Sequence, residues 1–263
     1  MALEHHRSAI SSLPLLAMAM AIGSGCTDSD FGTELFTGPT TAVATGDIDA
    51  TMTARATESA MTRVVVSLDE DEFLGNDLYL AGGERLEATF DGQTLTLARD
   101  PLARDIEYFS VFSSSSSVDP IQVRFFRADG TIVGAPDVFL RPDFSVRSPV
   151  RGQTATFMDT LLLEWAPAEA SANMSVRLEL TCRMLDGTIA IRNVHPIYAD
   201  DGSASYDLSL FPEATDPLID RTADCMLEVE FTRVAVTSVA PPFGDGDFRT
   251  TQSRLIEDIL VRF

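Results

Sequence analysis

Any chemistry in this chain would fall mainly to carboxylates. The sequence carries 40 Asp and Glu against 19 basic residues, and every one of those 19 is Arg. His5 and His6 sit near the N-terminus, so His195, followed by Pro196, is the one histidine further along. Histidine is the usual proton shuttle near neutral pH. A Ser–His–Asp triad built on His195 would need an exposed nucleophile, and no Gly-x-Ser-x-Gly elbow occurs. A lone histidine in a strand-rich stretch reads as a surface or satisfied residue. No cluster of His and Cys has zinc spacing. No catalytic residue is assigned on these grounds, and no cofactor is expected.

Acidic residues gather where turns are expected: Asp69-Glu70-Asp71-Glu72, Asp200-Asp201-Gly202 and Asp245-Gly246-Asp247. Oxygen ligands for a hard cation could converge at such turns. That makes Asp69, Asp71, Asp200, Asp201, Asp245 and Asp247 the candidate cation ligands. None of the three runs fits the Asp-x-Asp-x-Asp-Gly loop, and solvated acidic turns are the simpler reading. A carboxylate-dependent glycosidase would need one raised and one ordinary pKa facing a cleft. Trp165 is the single tryptophan and reads as core, not as a sugar platform.

The elements that would position these residues alternate with a period of two from Ile48 onward, and no segment holds a helical period. Val64-Val65-Val66 is β-branched, and Asp91-Gly92 is a hairpin signal between Phe90 and Thr94-Leu95-Thr96-Leu97. Val176, Leu178, Leu180 and Cys182 share one parity, with Ser175, Arg177, Glu179 and Thr181 on the other. Cys225, Leu227, Val229 and Phe231 repeat the pattern. Ile259, Val261 and Phe263 alternate to the end of the chain and read as the last edge strand of a sandwich. Short strands at regular spacing, punctuated by Gly, Asp and Pro, predict an all-β sandwich or barrel. Pro142, Pro149 and Gly152 mark a boundary, predicting one sandwich over residues 46–147 and another over 148–263.

An apolar content of 45% supports real cores despite a formal charge of −21. That charge argues against nucleic acid as a partner, because phosphate binding needs positive surface. It also argues against lying flat on anionic lipid. The missing lysine fits either a GC-rich genome or a salt-adapted surface.

The first residues read differently. Arg7 is followed by a mostly apolar run from Ile10 to Ile22, then Gly23-Ser24-Gly25 and Cys26. Charged, apolar and small segments in that order make a secretory signal over residues 1–25. The apolar run is shorter than the roughly 20 residues that span a bilayer. Ile22-Gly23-Ser24-Gly25-Cys26 resembles the lipobox of bacterial lipoproteins, with Gly23 where the family has an aliphatic residue and Ile22 one place earlier. The resemblance implies lipidation of Cys26, and Thr27 after it implies the outer membrane of a Gram-negative cell. Residues 26–45, rich in Thr, Ser, Gly and Asp, read as a flexible tether.

With Cys26 lipidated, Cys182 and Cys225 remain, each on the apolar parity of its strand. Two such faces packed together would bring them into bridging range; a buried free pair is the alternative. The arrangement resembles the inter-sheet disulfide of immunoglobulin domains, although Trp165 precedes both cysteines where that family places it between them. The expectation is therefore two tandem immunoglobulin-like antiparallel β-sandwich domains, as an architecture and not a family. The functional expectation is an envelope lipoprotein acting as a non-enzymatic binding, adhesion or scaffold module. Its partners would be a membrane, through the anchor, and an envelope or extracellular protein or glycan. The alternative is a carboxylate-dependent hydrolase of envelope polymers.

Overall fold

The expected alternation becomes nineteen strands among the residues described by the computed structural model, which are 37–57, 60–70, 76–170, 172–239 and 241–263. Cys26, the expected signal and Asp71 lie outside the described residues. In the first half the strands are β1 (Thr37–Pro39), β2 (Ile48–Ala56), β3 (Thr62–Glu70), β4 (Asp77–Tyr79), β5 (Arg85–Phe90), β6 (Gln93–Thr96), β7 (Ala98–Arg99), β8 (Glu107–Phe112), β9 (Gln122–Phe126) and β10 (Ile132–Gly134). In the second half they are β11 (Ser145–Ser148), β12 (Thr154–Thr156), β13 (Thr160–Ala166), β14 (Asn173–Arg183), β15 (Ile189–Val194), β16 (Ile197–Ala199), β17 (Ser203–Asp207), β18 (Cys225–Ser238) and β19 (Asp247–Arg262).

The two longest strands, β18 and β19, pair antiparallel from Ser238↔Asp247 to Cys225↔Val261. This hairpin is the spine of a 12-stranded sheet. Phe248–Gln252 of β19 runs parallel to β2, while Leu260–Arg262 runs parallel to β12. On the other side of the hairpin, β18 pairs antiparallel with β14 over Met226–Arg233. β3 joins β2 and is bordered by β8 and β4, and β14 is bordered by β15 and β16. Two smaller sheets, β10-β9-β5-β6 and β11-β13-β17, complete the sandwiches.

Two cores result. The first joins Met52, Val66 and Phe112 of the large sheet to Leu86, Phe90 and Phe125 of the four-stranded sheet. The second joins Val176, Leu180 and Phe231 to Leu161, Leu163 and Trp165. All-β sandwich architecture thus holds. The boundary expected at 148 does not separate the cores, because Val239, Phe243 and Phe248, from far along the chain, belong to the first. The physical reason is the length of the hairpin. One half of β19 serves each sandwich, and the described chain from Thr37 onward forms one compact unit. β19 is accordingly an interior strand, not the expected edge.

A bulge adapts β19 to this double duty. Its register shifts between Leu227 and Val229 of β18, and Asp258 takes a positive φ of 61°. An extra residue on one strand flips which parity faces inward. Ile259 and Val261 are buried on one side of the bulge, and Phe248, Thr250 and Gln252 on the other.

The disulfide between Cys182 and Cys225 is present, with Cα atoms 4.4 Å apart. It does not staple two sheets together. Thr181↔Met226 are register partners, so Cys182 and Cys225 face each other across neighbouring strands of one sheet. Their separation matches the roughly 4.5 Å of a non-hydrogen-bonded antiparallel pair. Shared parity put both cysteines on an inward face, and that face turns out to be the same one.

The segment expected as tether reaches into the fold. β1 pairs parallel with β4. Thr40 is fully buried; its one hydroxyl proton is shared between the Tyr79 carbonyl, at 3.1 Å, and the Glu84 carboxylate. Arg127 donates to the carbonyls of Thr40 and Val43 at 2.9 and 2.8 Å and pairs with Glu84 at 2.9 Å. Thr37–Val43 is therefore part of the first sandwich, fixed by one buried ion pair.

Candidate functional site

The acidic turns divide into three different environments. Asp201 is exposed and accepts a hydrogen bond from the Ser203 amide at 3.2 Å, which serves its own turn. Asp245 accepts from the Gly246 amide at 2.8 Å, while its own amide donates to Asp49 at 2.7 Å. Asp247 is exposed at the start of β19. Among the described residues, no group of three or more His, Cys, Asp or Glu is arranged to hold a metal ion. His195 is exposed just beyond β15.

Asp69, the next-to-last residue of β3, lies directly opposite Asp77 of β4. Burial pushes its carboxyl up to about 6, helped by a hydrogen bond with Asp77 and by the negative charges of Asp77, Asp49 and Asp105. Like charges placed opposite each other in a sheet destabilise it. An ordinary carboxyl ionises near 3.8, so the folded state holds this proton more tightly between that pH and about 6. The favourable contribution is complete below 3.8 and disappears as the pH rises through 6. Asp77→Asn is expected to stabilise the protein above pH 6 by on the order of 1 kcal/mol, a figure discounted because solvent screens this half-open site. Urea midpoints measured from pH 4 to 8 check this: the variant should gain on the parent as the pH rises, and parallel curves would contradict the pairing.

Asp200 is not an open turn carboxylate at all. It is buried against Arg233, whose Nε donates to Oδ2 at 2.5 Å and whose Nη2 donates to Oδ1 at 3.1 Å. The Trp165 indole N–H donates to the same Oδ1 at 2.5 Å. Arg233 also donates to the carbonyls of Pro142, at 2.9 Å, and Pro167, and stacks 4.8 Å above the Phe144 ring. Asp200 is thereby committed to a structural charge pair and is unavailable to a cation.

Arg233 belongs to a larger grip on the segment that connects the two cores. Thr250 donates to the Phe139 carbonyl at 2.9 Å, Gln252 to Arg141 at 2.7 Å and Arg254 to Phe144 at 3.1 Å. Arg254 also pairs with Asp143. Side chains from both strands of the spine therefore satisfy the carbonyls of Phe139, Arg141, Pro142 and Phe144, which fixes the link between the sandwiches. No sequence motif announced this. Its one signal was polar residues, Arg233, Thr250 and Gln252, on the inward parity of their strands.

The opposite parity of β2, β19, β18 and β14 forms the outer face of the large sheet, and most of it is exposed or half-buried. A shallow cavity of about 300 Å³ lies on it, floored by the hydroxyls of Thr53, Thr232, Thr251 and Ser253 and flanked by Arg55, Arg249 and the Glu230 carboxylate, whose charge Arg55 and Arg177 offset. A neighbouring cavity of about 470 Å³ shares Arg249 and includes Asn173 and Ser175. Arg55 pairs with Glu230 at 2.5 Å, and Glu230 also pairs with Arg177 at 3.2 Å. Arg249 is exposed and has no ion-pair or hydrogen-bond partner among the described residues.

No family model matches the sequence, and no curated protein does. Among solved structures, the fibronectin(III)-like modules of Clostridium thermocellum CbhA are similar at 9% identity and a TM-score of 0.22, covering 80% of this chain and 94% of theirs. The titin domains z1z2, solved in complex with telethonin, match at 9% identity and a TM-score of 0.22, covering 82% of this chain and 99% of theirs. The architecture described above rests on this chain's own sheets and cores.

Proposed function

We propose that this chain is a non-enzymatic binding, adhesion or scaffold module of the cell envelope, exported and held to a membrane by lipid on Cys26. The observation that supports the module most strongly is the gripped connection at residues 139–144. It makes two sandwiches into one body with a continuous outer sheet face, a form suited to presenting a fixed surface. The lipobox-like run ending at Cys26 supports the anchor. The Asp69–Asp77 pair, whose carboxyls interact closely enough to raise the Asp69 carboxyl, does not fit a glycosidase. Glycosidase carboxyls stand about 5 Å apart or more, leaving space for the bond to be cut.

The anchor has a direct test. Cys26→Ser is expected to move the protein from the detergent phase to the aqueous phase in a partitioning experiment on whole cells. Several acyl chains hold a protein stably at a membrane where one holds it only marginally, so the parent should show little soluble fraction. Equal partitioning of parent and variant would contradict the anchor.

A further inference from the structure

We infer that the outer face around Arg249 is a binding site for an acidic saccharide, a glycan carrying carboxylates among its hydroxyls. This deepens the binding-module reading and rests on it. Arg249 is the starting point. Its guanidinium lies exposed on a sheet face with no carboxylate partner among the described residues, as does that of Arg124, and what sets Arg249 apart is the hydroxyl-lined floor beside it. It stands where the two cavities meet, so a ligand lying in either would pass it.

The surroundings narrow the ligand. Thr53 is the register partner of Arg249 on β2, and Thr251, Thr232 and Ser253 continue the floor. Thr232 and Ser253 already hydrogen-bond to each other at 3.0 Å, which leaves each with further donor or acceptor capacity. Guanidinium and carboxylate fit as a planar two-point pair. Hydroxyls that both donate and accept match the hydroxyls of a sugar ring. No aromatic side chain lines either cavity, so a neutral sugar would lack a stacking platform here. Together these favour a charged saccharide over a neutral one, and the density of hydroxyls favours a saccharide over an acidic peptide. The floor is also held in place from behind. Thr250 and Gln252, which alternate with Arg249 and Thr251 along β19, grip the connecting segment at 2.9 and 2.7 Å. A preorganised site loses less entropy on binding.

The test uses the exported form of the chain with Cys26→Ser, so that it stays in solution, and isothermal titration with an oligogalacturonate hexamer. Binding is expected for the parent, with at least a tenfold loss on Arg249→Ala and a comparable loss when the hexamer is methyl-esterified. Arg124→Ala, which removes another exposed arginine far from the groove on β9, should leave affinity unchanged. Arg249 is exposed, so its variant should melt with the parent, separating lost contact from lost fold. The proposal is overturned if the parent does not bind the hexamer. It is overturned equally if Arg249→Ala or the esterified hexamer binds as well as parent and acid, or if a hexaglutamate peptide binds as tightly as the saccharide. Such an outcome would leave the detergent-partitioning result for Cys26 untouched, so the two readings fail separately.

Discussion

Asp200→Ala is expected to destabilise the protein by about 3–5 kcal/mol, the usual effect of removing one partner from a buried ion pair. Arg233 has no exposed surface and would be left with its charge facing an empty carboxylate site. The Trp165 indole would lose its acceptor in the same step. Urea denaturation reads the effect directly. For a chain of this size each kcal/mol corresponds to roughly 2–4 °C in melting temperature. The double variant Asp200→Leu/Arg233→Met should recover part of the loss, because a buried pair can often be exchanged for apolar packing. Full recovery is not expected, since Arg233 also satisfies the carbonyls of Pro142 and Pro167. A loss below about 1 kcal/mol in Asp200→Ala would mean that the pair is solvated and does not lock the connection.

Reduction of the Cys182–Cys225 disulfide is expected to lower stability by about 4 kcal/mol, from the loop entropy released in the unfolded chain. The bridge spans a sequence separation of 43. The consequence for the fold differs from that of an inter-sheet staple in an independent second domain. β14 and β18 belong to the sheet that also carries β2 and β3, so the loss should appear in one transition of the whole unit. Near-UV circular dichroism, weighted by Trp165, and an amide-exchange probe in β3 should report the same shifted midpoint. A shift confined to the Trp165 signal would contradict the shared sheet.

Much of this architecture was legible in the alternation of particular residues. Val176, Leu178, Leu180 and Cys182 lie inward as their parity requires, and the inward parity of both cysteines anticipated their bridge. Which sheet each strand joins was not legible. Pairing between Phe248–Gln252 and Met52–Ala56 joins segments far apart in the sequence, and no local pattern encodes such a partner. Parity reading also stopped at Phe231, where the apolar series ends. Arg233 continues the same inward side, and its burial depends on an aspartate and carbonyls supplied by distant loops. Asp200 could be read as a turn carboxylate because its sequence neighbours are turn residues; only Arg233 and Trp165 distinguish it from Asp201. At the candidate groove, the lack of a partner for Arg249 among the described residues can be recognised only in the folded chain.

Two sandwiches share one spine and behave as one body. Differential scanning calorimetry of residues 37–263 with the disulfide intact tests it most directly. A single transition is predicted, with calorimetric and van't Hoff enthalpies in agreement. Two resolved transitions, or a calorimetric enthalpy well above the van't Hoff value, would contradict it, because independent sandwiches would then melt on their own.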